Sequence, residues 1–110
     1  MSDTIRILIA EDMPTDAELA QREIRKILPA CEFARVETRE DYLATLESFQ
    51  PDAIIADYHM PRFDGMTALK LALEHAPLTP VIIWTSSQNE DVAVDCMKAG
   101  ASNYVIKEHI

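Results

Sequence analysis

Positive charge is scarce in this chain. Ten Lys and Arg stand against 19 Asp and Glu, for a formal net charge of −9. Such a surface repels nucleic acid and anionic lipid, which argues against direct DNA binding and membrane attachment. It favours cations and basic partner surfaces. No apolar run approaches the roughly 18 residues of a membrane span. The start, Met1-Ser2-Asp3-Thr4-Ile5-Arg6, lacks the basic and apolar regions of a signal peptide. Cysteine is limited to Cys31 and Cys96, 65 residues apart and without metal-ligand spacing. They read as reduced thiols of a cytoplasmic protein. His59, His75 and His109 form no cluster, which argues against a histidine-based zinc site. Repeats, linkers and low-complexity tracts are also missing. What remains is an ordinary globular balance, 48% hydrophobic and 26% charged over 110 residues. That is the size of one domain, spanning residues 1–110, able to bury roughly 60–68% of its unfolded surface.

Strand-like and helix-like segments alternate along the chain. Ile5 to Ala10 is short, apolar and rich in β-branched residues, and reads as a strand. Thr15 and Glu18 have capping-box spacing, and Ala17, Ala20, Ile24, Ile27 and Leu28 recur at helical intervals until Pro29. Glu32 to Val36 is a weaker strand. Thr38 is placed to cap a second helix, with Tyr42, Leu43, Leu46 and Phe49 inward and Pro51 as its stop. Asp52 to Asp57 reads as a third strand. Asp64-Gly65 opens a third helix with Met66, Leu69, Ala72 and Leu73 inward. Val81 to Thr85 is a fourth strand, Asn89 to Ala99 a fourth helix stopped at Gly100, and Asn103 to Ile106 a fifth strand. This order implies a parallel sheet with helices on both faces and right-handed crossovers. Ligands of such sheets sit at the carboxyl ends of the strands.

Those ends carry Glu11-Asp12, Asp57, Thr85-Ser86 and Lys107. Taken singly, each has an ordinary explanation: the Asp residues as turn formers, the Thr as a β residue, the Lys as a solvated charge. Together they place three carboxylates, a hydroxyl and an ammonium on one rim. Glu11, Asp12 and Asp57 carry −3 and Lys107 returns +1, leaving a crowded −2. A dication would neutralise it, and hard oxygen donors favour Mg²⁺, or Mn²⁺, over zinc. A pocket with one cation, one lysine and one hydroxyl suits a phosphoryl group.

At this point the chain resembles the receiver domain of bacterial two-component response regulators, in the manner of the chemotaxis regulators, over nearly its whole length. The carrying motifs are Glu11-Asp12, Asp57, Met60-Pro61 with Asp64-Gly65, Thr85, Gly100-Ala101, Tyr104 and Lys107. The resemblance implies a flavodoxin-like, doubly wound, five-stranded parallel sheet in the order 2-1-3-4-5. It implies that Asp57 accepts a phosphoryl group from a phosphohistidine on a sensor histidine kinase or histidine phosphotransfer protein. Asp12 would ligate Mg²⁺ directly and Glu11 directly or through water, with Asp57 and the backbone carbonyl of His59 completing the set. Lys107 would contact the phosphoryl oxygens. Thr85 would read them and Tyr104 would turn inward as Thr85 moves, signalling to an output module in cis or trans. The isolated domain would be no enzyme beyond its own phosphorylation and dephosphorylation, although its parent could be a hybrid histidine kinase.

Three positions depart from the family pattern. Glu108 stands where Pro usually follows the lysine, so a trans bond is expected, since a non-proline cis bond costs about 2.5–4 kcal/mol. His59 lies two residues past Asp57, where side chains influence water access to the acyl phosphate. Trp84 replaces a smaller aliphatic and is expected to pack. Three residues follow Lys107, so the family's fifth helix is expected to be missing or truncated. The chain would then be part of a longer protein, or would pair with another copy through the uncovered face of the first helix. Two rival functions remain. A Mg²⁺-dependent phosphohydrolase with an Asp nucleophile commonly has a second carboxylate where His59 stands. A pseudo-receiver that only binds partners predicts a broken acidic pocket.

Overall fold

Nine elements alternate among the described residues, 4–86 and 90–107, of the computed structural model. They are β1 (Ile5–Ala10), α1 (Pro14–Ile27), β2 (Cys31–Val36), α2 (Arg39–Phe49), β3 (Ala53–Ala56), α3 (Gly65–His75), β4 (Val81–Thr85), α4 (Glu90–Lys98) and β5 (Asn103–Ile106). The five strands form one parallel sheet in the order β2-β1-β3-β4-β5, the expected flavodoxin-like arrangement.

Strand alternation divides the core between two faces. Leu8 and Ala10 of β1, Ile54 and Ala56 of β3, and Val81 and Ile83 of β4 pack with Tyr42 and Leu46 of α2, Leu69 and Ala72 of α3, and Cys96 of α4. On the opposite face Ile7, Ile9 and Trp84 pack against Ala17 and Ala20 of α1. Among the described residues α1 alone covers this second face. A groove of about 340 Å³ lies beside it, lined by Ile24, Ile27, Ile55, Ile82, Trp84 and Val105. Both cysteines are free thiols: Cys96 is buried in the core, and Cys31 donates from Sγ to the Leu28 carbonyl at 2.9 Å. No described helix is long and apolar enough to cross a membrane.

Local signals set most boundaries. Thr38 accepts from the Asp41 amide at 3.2 Å and Asp64 from the Thr67 amide at 2.8 Å, so both expected caps form. Gly100 ends α4 with φ +111°, the left-handed region that favours glycine. Two expectations are corrected. Thr15 does not cap α1: Met13 is the cap residue without a side-chain cap bond, and Pro14 occupies the first turn, where its missing N–H costs nothing. Leu73 is 42% exposed rather than inward, while Ala68 and Leu71 are buried. The helix is rolled so that Leu73 lies over Gly100, within 3.3 Å of where a Cβ there would sit. Asn89, the Lys107–Glu108 bond and the expected loss of a fifth helix fall outside the described residues.

Candidate functional site

The expected acidic, hydroxyl and ammonium groups sit at strand carboxyl ends, whereas His59 follows in the loop after β3 and Tyr104 lies within β5. β1 leads into Glu11 and Asp12, β3 into Asp57, β4 ends in Thr85 and β5 leads into Lys107. The sheet extends slightly beyond the strands and locks these positions. The Glu11 amide donates to the Val36 carbonyl at 3.0 Å, and the Asp57 amide to the Ala10 carbonyl at 2.9 Å. Two adjoining parallel strands therefore hand their carboxylates to the same rim. One ligand oxygen from each of Glu11, Asp12 and Asp57 lies within 4.8 Å of the others.

Lys107 closes the cluster. Its Nζ donates to Glu11 Oε2 at 2.8 Å, Asp16 Oδ2 at 2.8 Å and Asp57 Oδ2 at 3.2 Å. Only 14% of its side chain is exposed, so the picture of a solvated lysine does not hold. Trp84 lies under it, with Nζ 5.0 Å from the ring centroid, a cation–π distance. Trp84 is thus packed, as expected, and also supports the ammonium; its Nε1 is buried without a hydrogen-bond partner among the described residues. Asp57 is held from both sides: the His59 amide donates to Oδ1 at 3.2 Å while Lys107 holds Oδ2. Glu11 Oε1 accepts from the Met13 amide at 3.1 Å. Glu11 and Asp57 are therefore each oriented by a donor from the following loop and by the distant lysine.

Thr85 is fully buried. It continues the Val81, Ile83 alternation and so lies on the α2–α3–α4 face of the sheet. Tyr104 pairs with Ile83 in the β4–β5 register and is half-buried on that same face. Thr85 and Tyr104 are thus diagonal neighbours on one face of the sheet. The His59 side chain is exposed, and its ring makes an edge contact with Tyr58 at 5.0 Å. The His59 backbone amide, not its ring, is what meets Asp57.

Against known proteins, the model described as the response regulator receiver domain matches residues 7–109. The chain belongs to the response regulator receiver domain family. It is 32% identical over 108 residues to a protein-glutamate methylesterase/protein-glutamine glutaminase of Archaeoglobus fulgidus, covering 94% of this chain and 30% of that one. It is 41% identical over 71 residues to the DNA-binding transcriptional regulator NtrC of Proteus hauseri, covering 64% of this chain and 15% of that one. The chain thus spans under half the length of these curated relatives. In structure it matches a signal receiver domain from Vibrio parahaemolyticus with a TM-score of 0.83 and 28% identity, covering 94% of this chain and 78% of that one. The response regulator domain of Thermotoga maritima CheB matches with a TM-score of 0.79 and 25% identity, over 96% and 80%.

The electrostatics of this receiver are set by burial. Withdrawal from water pushes the Glu11 carboxyl up to about 7, against the hydrogen bonds from Lys107 and Met13; the nearby Asp57 charge adds to the rise. Burial works to lower the Lys107 pKa, but the bonds to Asp16 and Glu11 and the charge of Asp57 outweigh it, and the ammonium is held above its ordinary range. Because the folded Glu11 pKa lies above the unfolded value of 4.5, its contribution to stability is complete below 4.5 and lost as pH rises through about 7. Metal-free protein should therefore lose on the order of 3 kcal/mol between pH 4.5 and 8 from this group. Urea denaturation of wild type and Glu11→Gln at both pH values checks it: the variant should show a flatter profile, and parallel profiles would contradict it.

Two partners escaped the sequence reading. Asp16, in the first turn of α1, joins the cluster through Lys107, 91 positions away, so no local pattern marks it. Arg35 of β2 donates from Nη1 to the Glu11 carbonyl at 3.0 Å and to Glu37 Oε2 at 3.1 Å. No local pattern marks that contact, which depends on strand pairing.

Proposed function

We propose that this receiver is the phosphoacceptor of a two-component phosphorelay, with Asp57 as the nucleophile. The observation that supports it most is the state of Asp57: 6% exposed, gripped at both oxygens, and flanked by two further carboxylates. A structural carboxylate would not need two acidic neighbours at a buried rim, where crowding is costly. An Asp57 oxygen attacks the phosphorus of a phosphohistidine. The new O–P bond forms as the P–N bond breaks, and the imidazole nitrogen keeps the electron pair. Lys107 neutralises the phosphoryl oxygens, and Thr85 donates its hydroxyl to them. The acidic trio fits a hard dication, and Glu11, Asp12, Asp57 and the His59 carbonyl would hold Mg²⁺. When bound, that ion supplies charge neutralisation to the transferring group. Thr85 and Tyr104 then carry the change across the α4–β5 side to an output module. The donor is a sensor histidine kinase or a histidine phosphotransfer protein, and the setting is the cytoplasm. The complete acidic set disfavours a pseudo-receiver, and His59 in place of a second carboxylate disfavours a phosphohydrolase.

Incubation with a small phosphodonor and Mg²⁺, followed by intact mass, tests this reading. One base-labile phosphate is expected, absent in Asp57→Asn. Asp12→Asn should keep its fold yet need far more Mg²⁺, because it loses a charged hard ligand. Unaltered mass in wild type, or Mg²⁺ dependence unchanged in Asp12→Asn, would overturn the assignment.

A further inference from the structure

The Lys107 ammonium has three protons, and all three are committed: Glu11, Asp16 and Asp57 each accept one. A phosphoryl group on Asp57 adds oxygens that also need this ammonium, so one of the present acceptors must give way. Asp57 carries the phosphoryl group and stays. Glu11 has no exposed side-chain surface and can be released only to a bound dication, never to water. The Asp16 side chain is 37% exposed and can rehydrate when released. Its bond to Lys107 is nevertheless short, 2.8 Å against 3.2 Å for Asp57. Asp16 also adds a fourth carboxylate to Glu11, Asp12 and Asp57 around a single lysine, and its charge opposes any incoming anion.

We propose that Asp16 is a positioning residue that competes with the phosphoryl group for Lys107, holding the ammonium in the resting receiver and lowering its affinity for the phosphorylated state. The inference rests on the phosphoacceptor reading of Asp57. Asp16 acts through Lys107 and does not touch the reacting atoms. An acid in the first turn of a helix also interacts favourably with the helix dipole, which would give Asp16 a purely structural role. The two roles differ in what a phosphoryl mimic sees.

Beryllofluoride binding with saturating Mg²⁺ separates them, read by the fluorescence of Trp84, the single tryptophan, whose ring lies 5.0 Å from Lys107 Nζ. Asp16→Asn should bind the mimic about three- to tenfold more tightly than wild type, as expected for removing one like charge near a partly exposed site. It should also be phosphorylated faster by a small phosphodonor. Asp16→Glu, which restores the carboxylate, should move affinity back toward wild type. Asp16→Ser, well suited to a helix start, serves as a second neutral variant should Asn perturb the fold. Equal affinity in both neutral variants and wild type would leave Asp16 a surface acid and overturn the proposal. Weaker binding would overturn it in the other direction, by making Asp16 a support for Lys107. If wild type itself bound no beryllofluoride, the phosphoacceptor reading would fail and this inference with it.

Discussion

Lys107→Ala is expected to destabilise the receiver by about 3 kcal/mol or more at pH 8, and by much less at pH 5.5. The substitution leaves Glu11 and Asp57, both buried, without the cation that pairs them. Removing one partner of a buried ion pair ordinarily costs about 3–5 kcal/mol, because the other charge stays behind. Here the protein has an escape. Glu11 already titrates at about 7, and Lys107 lowers that value. Without the lysine the Glu11 pKa rises further, and the carboxyl takes up a proton instead of remaining charged. The sign follows: a raised folded pKa gives stability below the unfolded value and loses it as pH rises, so the variant's loss deepens toward alkaline pH. Urea denaturation at the two pH values measures it. A penalty equal at both would mean that Lys107 acts by packing on Trp84 rather than by charge. Phosphorylation should fall about tenfold to a hundredfold, the worth of one charge-assisted hydrogen bond to the phosphoryl oxygens.

Gly65→Ala is expected to cost about 2–3 kcal/mol and to slow phosphorylation roughly tenfold, although position 65 bears no chemistry. A Cβ there would lie 2.7 Å from the Tyr58 Cα and 2.9 Å from the Asp57 carbonyl oxygen. Both are backbone atoms and cannot swing aside. The approach is enforced by the bond from the Gly65 amide to the Tyr58 carbonyl at 3.0 Å, and by the Asp64 cap that anchors the first turn of α3. The added methyl must therefore push either α3 or the loop carrying Asp57. If the loop yields, the Asp57 carboxylate moves away from Lys107 and the His59 amide. Chemical denaturation and the phosphorylation rate with a small phosphodonor together check this. A variant of wild-type stability and rate would show that the contact is slack.

Much of this molecule was legible in its order of residues. The alternation of apolar runs with helical spacing predicts the parallel sheet, because hydrophobic period is a local property of the chain. Thr38, Asp64 and Gly100 mark helix ends for the same reason: caps and stops act on backbone groups within a few residues. Glu11, Asp12, Asp57, Thr85 and Lys107 stand out because each interrupts an apolar strand at its carboxyl end, and parallel strands bring such ends to one rim. Local spacing also misled. Thr15 and Glu18 have capping-box spacing, but Pro14 takes the helix start, and Leu73 has core spacing but covers Gly100.

What the tertiary structure decided lies in contacts between distant parts of the chain. Lys107 meets Glu11 across 96 positions and Asp16 across 91, and no window of sequence spans either pair. The upward shift of Glu11, the burial of Lys107 beneath carboxylates and its seat on Trp84 all follow from that meeting. Residue type and spacing determine which groups reach the rim. Desolvation and charge, which depend on what else arrives there, determine which of those groups are ionised.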